Sequence, residues 1–241
     1  MTTTHPAAMD RRLAGIRACV FDAYGTLFDV ASAAARCAEA IGEITPRLAA
    51  LWRDKQLQYS WLRTVQGRHA DFWQVTGDAL DFALDTFEIA DPSLRERLMM
   101  LYRTLDAYPE VPAVLRQLRT AGFATAILSN GAPPMLAAAV EHAGLSDMFD
   151  HVLSIEDVGV YKPHPSVYRL ACDRLGLAPG AIAFISSNGW DAWAASAYGM
   201  RALWCNRRLQ PRERLPGGPD HEVHSLTELP ALIELPTLLK G

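Results

Sequence analysis

Short apolar runs recur along this chain, each ended by polar residues and separated from the next by a helical pattern. That alternation narrows the possible folds more than any other feature. IRACVFD, from Ile16, is nearly unbroken and not alternating, the pattern of a strand buried on both faces of a parallel sheet. FATAILS (123–129), the weaker HVLS (151–154), AIAFISS (181–187) and ALWC (202–205) repeat it. Between them lie helical patterns such as PPMLAAAVEHAG, which Pro133 or Pro134 can open and Gly144 can close. The expected class is α/β, with a doubly wound parallel sheet.

The stretch 29–106 breaks this rhythm, holding helical patterns and no convincing strand. In TPRLAALWRDKQLQYSWLRTVQG, Thr45 can cap and Pro46 suits the first turn, while Leu48, Leu51, Trp52, Tyr59 and Leu62 recur at helical spacing. A helical insertion after the first strand belongs above the carboxyl ends of the sheet, where open α/β folds bind ligands. The expected organisation is therefore a loose leader over 1–15, a core of 16–28 and 107–241, and a helical cap over 29–106. RLQPRERLPGGPD reads as a surface loop.

A chain of 241 residues can bury one good core and a smaller companion. Its formal charge of -4 and lack of a long basic run give nucleic acid no footing, and the pairs Arg11–Arg12 and Arg207–Arg208 read as solvated surface. No stretch nears the roughly 20 apolar residues that span a bilayer, and the N-terminus lacks the apolar core of a signal peptide. No membrane partner is expected, and the expected location is the cytoplasm. Cys19, Cys37, Cys172 and Cys205 lie far apart without a C-x-x-C pair and read as small packing residues.

The chemistry-bearing residues fall at the strand ends. Asp22 closes the first run and is followed by AYGT, where Gly25 allows close approach and Thr26 can bond the carboxylate; a turn cap is the alternative. Ser129 and Asn130 precede a proline-opened helix and can gather donors around an anion, or simply form a turn. Lys162, on the stiff stalk before Pro163, is either a fixed cation or solvated surface. In SSNGWD, Asn188 and Asp191 can face the same way, although Ser, Asn and Asp also serve as helix caps. Arg53 shares a helix face with Leu57 and Trp61, so it either snorkels to water or reaches from an apolar wall toward an anion.

Together, D22-A-Y-G-T26, S129-N130-G131, K162-P163 and S186-S187-N188-G189-W190-D191 resemble the ordered motifs of the haloacid dehalogenase superfamily. FDAYGTLFDV, LWRDKQLQYSWLR, ILSNGAPPML, KPHPSVYRLA and ISSNGWD resemble its L-2-haloacid dehalogenases, over about residues 17 to 205. The resemblance implies a Rossmannoid core with a helical cap inserted after the first strand. Superfamily phosphatases carry D-x-D and hold magnesium with an acid from the fourth strand end. Here Tyr24 takes the second acid's place and Ser187 and Asn188 stand where the fourth-strand acid is expected, so no metal and no cofactor is implied. A halide leaves without a proton, so it needs no general acid.

By this resemblance Asp22 attacks C2 of a short L-2-haloalkanoate, displaces halide with inversion, and forms an ester that water cleaves to the D-2-hydroxy acid. The implied partners are a small 2-haloacid and halide, with a homodimer as the usual assembly. Arg53 and Asn130 receive the halide; Ser129 and the backbone N–H groups after Asp22, beginning with Ala23, bind the substrate carboxylate. Lys162, Thr26, Ser186 and Asn188 orient Asp22, Asp191 activates the water, and Tyr168 supports Lys162. Tyr24, Leu57, Phe72 and Trp190 wall an apolar pocket, though each also suits plain core. Azetidine-2-carboxylate or fluoroacetate as substrate, a magnesium-dependent phosphatase, and a non-catalytic binding protein remain alternatives.

Overall fold

A computed structural model describes residues 12–30 and 41–234. Most of the leader, Cys37 and the last seven residues lie outside the described residues. Six strands form one parallel sheet: β1 (Ala18–Phe21), β2 (Ala124–Ser129), β3 (His151–Ser154), β4 (Ile182–Ser186), β5 (Arg201–Cys205) and β6 (His221–Val223). The spatial order is β3-β2-β1-β4-β5-β6. β1 is central and wholly buried, which is why its run is unbroken; β3 lies at one edge with Val152 43% exposed, which is why HVLS reads weakly. The sixth strand, HEV, is not among the expected runs. Three residues with a charge at the centre carry no periodic signal, and β6 is an edge strand held by pairing to β5.

Helices flank the sheet. α1 (Thr45–Gln66), α2 (Phe72–Thr86) and α3 (Pro92–Leu101) lie between β1 and β2, followed by α4 (Val111–Thr120) and, after β2, α5 (Pro133–His142). α6 (Pro165–Leu175) and α7 (Gly189–Tyr198) pack on one another, and a one-turn α8 (Leu229–Leu232) ends the described chain. Most boundaries have local causes. The Asp71 and Asp91 carboxylates accept from the Gln74 and Leu94 N–H groups at the starts of α2 and α3, and Pro133 and Pro165 open α5 and α6. Gly67 ends α1 in the left-handed region at φ 63°. Thr45 does not cap: it is the first residue of α1, its hydroxyl donating back to the Gly42 carbonyl at 2.7 Å, because a 3-10 turn runs straight into the helix. Leu62 also leaves the expected buried stripe at 47% exposure.

Between residues 41 and 106 the structure holds helices and no strand. The chain leaves the sheet and returns to it side by side, with Phe28 bridged to Ala107, Asp29 N–H donating to Asp106 O and Tyr108 N–H to Leu27 O. Loop 208–220 is largely exposed, as expected. Cys19, Cys172 and Cys205 are free and buried. Among the described residues no helix is long and apolar enough to cross a membrane.

Candidate active site

The register brings the carboxyl ends of three strands together. Phe21 pairs with Ile127 of β2 and Ile185 of β4, so Asp22 emerges beside Ser129 and Ser186. Among the described residues the buried charged side chains are Asp22, Lys162 and Asp191, and they meet in one cluster. Lys162 Nζ donates to Asp22 Oδ1 at 3.1 Å and to Asp191 Oδ2 at 2.8 Å. Three isolated buried charges would be prohibitive; shared, the ammonium compensates both acids. At 1% exposure Lys162 is no surface lysine, and Pro163, joined to it by a cis peptide bond, starts the turn into α6.

The two oxygens of Asp22 differ. Oδ2 takes three donors: Asn188 Nδ2 at 2.8 Å, Thr26 Oγ1 at 3.1 Å and Ser186 Oγ at 3.5 Å. Among the described side chains Oδ1 takes Lys162 alone, leaving lone-pair capacity toward the cleft. Thr26 Oγ1 is itself fixed by the Ser187 N–H at 2.8 Å, so its proton is committed to Asp22. Asn188 opens α7 without capping it, its side chain being spent on Asp22 and Arg53.

Behind this layer, Tyr168 O–H donates to Asp191 Oδ1 at 2.7 Å, so it reaches Lys162 only through Asp191. Burial and then the Asp191 carboxylate hold the Tyr168 phenol well above its ordinary range, keeping it a donor. Burial also pushes the Asp191 carboxyl above the usual carboxylate range, with the Lys162 ammonium opposing and Asp22 adding to the shift. Burial pulls Lys162 down, but Asp191 and Asp22 outweigh it, and the ammonium lies above its ordinary value.

A cleft opens in front of Asp22, with about 240 Å³ of space that is partly open to solvent. Arg53, from α1, lines it with its guanidinium on Gln56 Oε1 (2.6 Å) and Asn188 Oδ1 (3.2 Å). Asn130 lines it too; its Oδ1 accepts from the Lys162 N–H at 3.0 Å, which turns its amide nitrogen elsewhere. Ser129 Oγ accepts from Gly131 N–H at 3.1 Å and keeps its own proton for a ligand. Neither Ala23 nor Tyr24 donates its backbone N–H to a backbone acceptor among the described residues.

Tyr24, Phe72 and Trp190 complete the wall, and Trp61 of α1 packs edge-on against Trp190 with centroids 5.5 Å apart. Leu57 sits half-buried on α1, one turn beyond Arg53. Further bonds tie the helical segment to the strand-end loops: Tyr161 N–H donates to Thr64 Oγ1 at 3.1 Å, and His69 Nε2 lies 2.8 Å from Glu156 Oε2.

Two residues that shape the site are not among those expected from the sequence. Gln56, fully buried, holds Arg53 with its oxygen while its nitrogen donates to Thr76 Oγ1 at 2.7 Å. Its signal is an amide on the apolar stripe, one turn after Trp52. Arg207 contradicts its expected solvated position: its side chain is 13% exposed, pairs with Glu110 at 2.6 Å, donates to the Thr26 carbonyl at 3.0 Å and covers the Tyr108 ring. The cause is the β5 exit, which aims the residue after Asn206 back at the Asp22 turn. Arg207→Ala should cost about 1–3 kcal/mol in a denaturant melt. Arg207→Lys should recover little of it, because an ammonium does not span Glu110 and Thr26 as the planar fork does.

Magnesium, which the superfamily's phosphatases hold at this end of the sheet, does not fit the donor set. The Lys162 ammonium occupies the space between Asp22 and Asp191, and no further His, Cys, Asp or Glu among the described residues completes a metal-binding group.

The model of the haloacid dehalogenase-like hydrolases matches residues 16–199, and the chain belongs to that family. It is 47% identical to (S)-2-haloacid dehalogenase 1 of Pseudomonas sp. (strain CBS-3), covering 90% of this chain and 96% of that one. A solved dehalogenase structure with an intermediate complex superposes with a TM-score of 0.89 at 45% identity, covering 91% of this chain and 97% of that one. The L-2-haloacid dehalogenase of Xanthobacter autotrophicus with chloropropionic acid covalently bound matches with a TM-score of 0.83 at 39% identity, over 90% of this chain and 98% of that one. Within its family the chain thus sits among the L-2-haloacid dehalogenases.

Proposed function

We propose that the protein is an (S)-2-haloacid dehalogenase that converts short L-2-haloalkanoic acids to D-2-hydroxy acids and halide through an ester on Asp22. The observation that carries this reading is a buried carboxylate with one lightly engaged oxygen, Oδ1, facing a small cleft that also holds Arg53 and Asn130. Oδ1 attacks C2, the carbon–halogen bond breaks, and halide leaves with the bonding pair toward Arg53 and Asn130. Ser129 Oγ and the N–H groups of Ala23 and Tyr24 take the substrate carboxylate. The donors on Oδ2 hold the carboxylate plane through both steps.

Asp191 then takes a proton from water, which attacks the ester carbonyl carbon. The bond from that carbon to the substrate oxygen breaks, and the departing oxygen takes up the proton of the attacking hydroxyl to give the D-2-hydroxy acid. Asp22 is restored as a carboxylate, and Asp191 loses its proton to solvent. Its raised proton affinity suits it to that role, and Tyr168 keeps it aimed. Residues 29–106 act as a cap: a carboxylate is a poor nucleophile in bulk water, and contacts such as Trp61 on Trp190 favour exclusion of solvent from the cleft. The enzyme is further taken to be a cytoplasmic homodimer, as expected from the sequence, the dimer resting on the family resemblance.

Purified protein should release chloride from (S)-2-chloropropionate, unaffected by EDTA. Magnesium-dependent release of phosphate from p-nitrophenyl phosphate, without any halide release, would overturn the reading. The rate should fall toward acid pH as Asp191 gains its proton, with an apparent pKa above the ordinary aspartate value of about 3.9. On the basic side Lys162, held above its usual value, should keep the rate flat to beyond about pH 10.4 in short assays.

A further inference from the structure

Tyr24 carries a feature that an apolar wall does not need. Its hydroxyl is buried and has no hydrogen-bond partner, the one such side-chain atom among the residues lining the cleft. The ring is not free to turn the hydroxyl toward water. It stacks on Phe72 at 6.0 Å, tilts against Tyr102 at 5.6 Å and Phe28 at 6.4 Å, and is 4% exposed. The hydroxyl lies against Gly131, where an added Cβ would come within 3.0 Å of the oxygen and 2.8 Å of the ring, so the glycine makes its seat. Burial, then Tyr102 and Asp22, push the phenol far above its ordinary range, so it keeps its proton and offers a donor.

A buried hydroxyl without a partner is costlier than the phenyl ring that could replace it. Its missing acceptor must therefore arrive with the ligand. The ligand brings two, and its carboxylate already has Ser129 and free backbone N–H groups. The Tyr24 hydroxyl lies at Gly131, next to Asn130, on the side assigned to the leaving group. A carbon-bound halogen accepts hydrogen bonds poorly, whereas the departing halide accepts them strongly. A donor fixed there acts where charge develops.

Resting on the function proposed above, we infer that the Tyr24 hydroxyl donates a hydrogen bond to the departing halide, beside Asn130 and Arg53. The bond from Asp22 Oδ1 to C2 forms as the carbon–halogen bond breaks, the halide takes the electron pair, and Tyr24 retains its proton throughout. The residue in the place of the second acid thereby stabilises a leaving anion without protonating it.

The deciding variant is Tyr24→Phe, which keeps the ring packing. For 2-chloropropionate, kcat/KM should fall about 10- to 100-fold, the range of one hydrogen bond to a charged group. The loss should grow in the order bromide, chloride, fluoride, as the leaving anion becomes a stronger acceptor. Chloride, read as a product inhibitor and by quenching of tryptophan fluorescence from the cleft, should bind about tenfold more weakly. Inhibition by D-lactate, which carries the carboxylate but no halide, should be unchanged. An unaltered rate would overturn the inference and leave Tyr24 as packing. Weakened D-lactate inhibition with an equal loss for every halogen would overturn it in favour of a carboxylate contact. Failure of the wild-type protein to release any halide would sink the function reading instead, while the quenching comparison still decides whether Tyr24 holds an anion.

Discussion

Asp22→Asn should abolish halide release, lowering the rate by at least about ten-thousand-fold, the scale on which loss of a covalent nucleophile is felt. The reason is chemical before it is structural: an amide has no lone pair comparable to that of Oδ1. The structural cost is separate and smaller. Both carboxylate oxygens face donors, Lys162 on one side and Thr26, Asn188 and Ser186 on the other. Whichever way the amide is turned, its nitrogen meets a donor, and Lys162 and Asn188 Nδ2 cannot reverse their roles. One frustrated contact of this kind costs about 1–3 kcal/mol, which a stable domain survives. Circular dichroism and a melting curve should show a folded variant, so loss of activity cannot be blamed on unfolding.

Lys162→Met should be the most damaging single change to stability, with a severe loss of activity beside it. Methionine fills much the same volume but removes the only buried cation among the described residues, leaving Asp22 and Asp191 face to face without their shared partner. Breaking a buried ion pair from one side costs about 3–5 kcal/mol. Stability should therefore drop steeply in denaturant melts, and more at neutral than at acid pH, where the stranded acids can take up protons. Activity should fall by about a thousandfold or more, because proton uptake by either acid disables one of the two steps. Adding Asp191→Asn should recover part of the lost stability, since one of the stranded charges is removed; the non-additivity is measurable in a double-mutant cycle. No stability would be recovered if the three side chains acted independently.

The sheet is legible in the sequence because parallel strands must be apolar on both faces. Four of the five expected runs lie in strands whose burial is nearly complete, and the site residues follow at their ends, where the topology sends the chain out of the core. What stays hidden depends on tertiary closure. Arg207 looks like any surface arginine beside Arg208, and only the return of β5 beside β4 sets it against Thr26 and Glu110. Gln56 is marked by polarity on an apolar stripe, yet its role as the brace of Arg53 requires α2 to bring Thr76 within reach. β6 has almost no local signal and exists because β5 offers it an edge.

That Asp22 itself carries the substrate as an ester can be measured directly. The enzyme is allowed many turnovers of 2-chloropropionate in heavy-oxygen water, digested, and the peptide bearing Asp22 is weighed by mass spectrometry. Attack of water on the ester carbonyl carbon predicts that label accumulates in the carboxylate of Asp22, and that the product of a first single turnover is unlabelled. An unlabelled Asp22 with label already in that first product would mean that water attacks C2 directly, and the ester mechanism would be wrong.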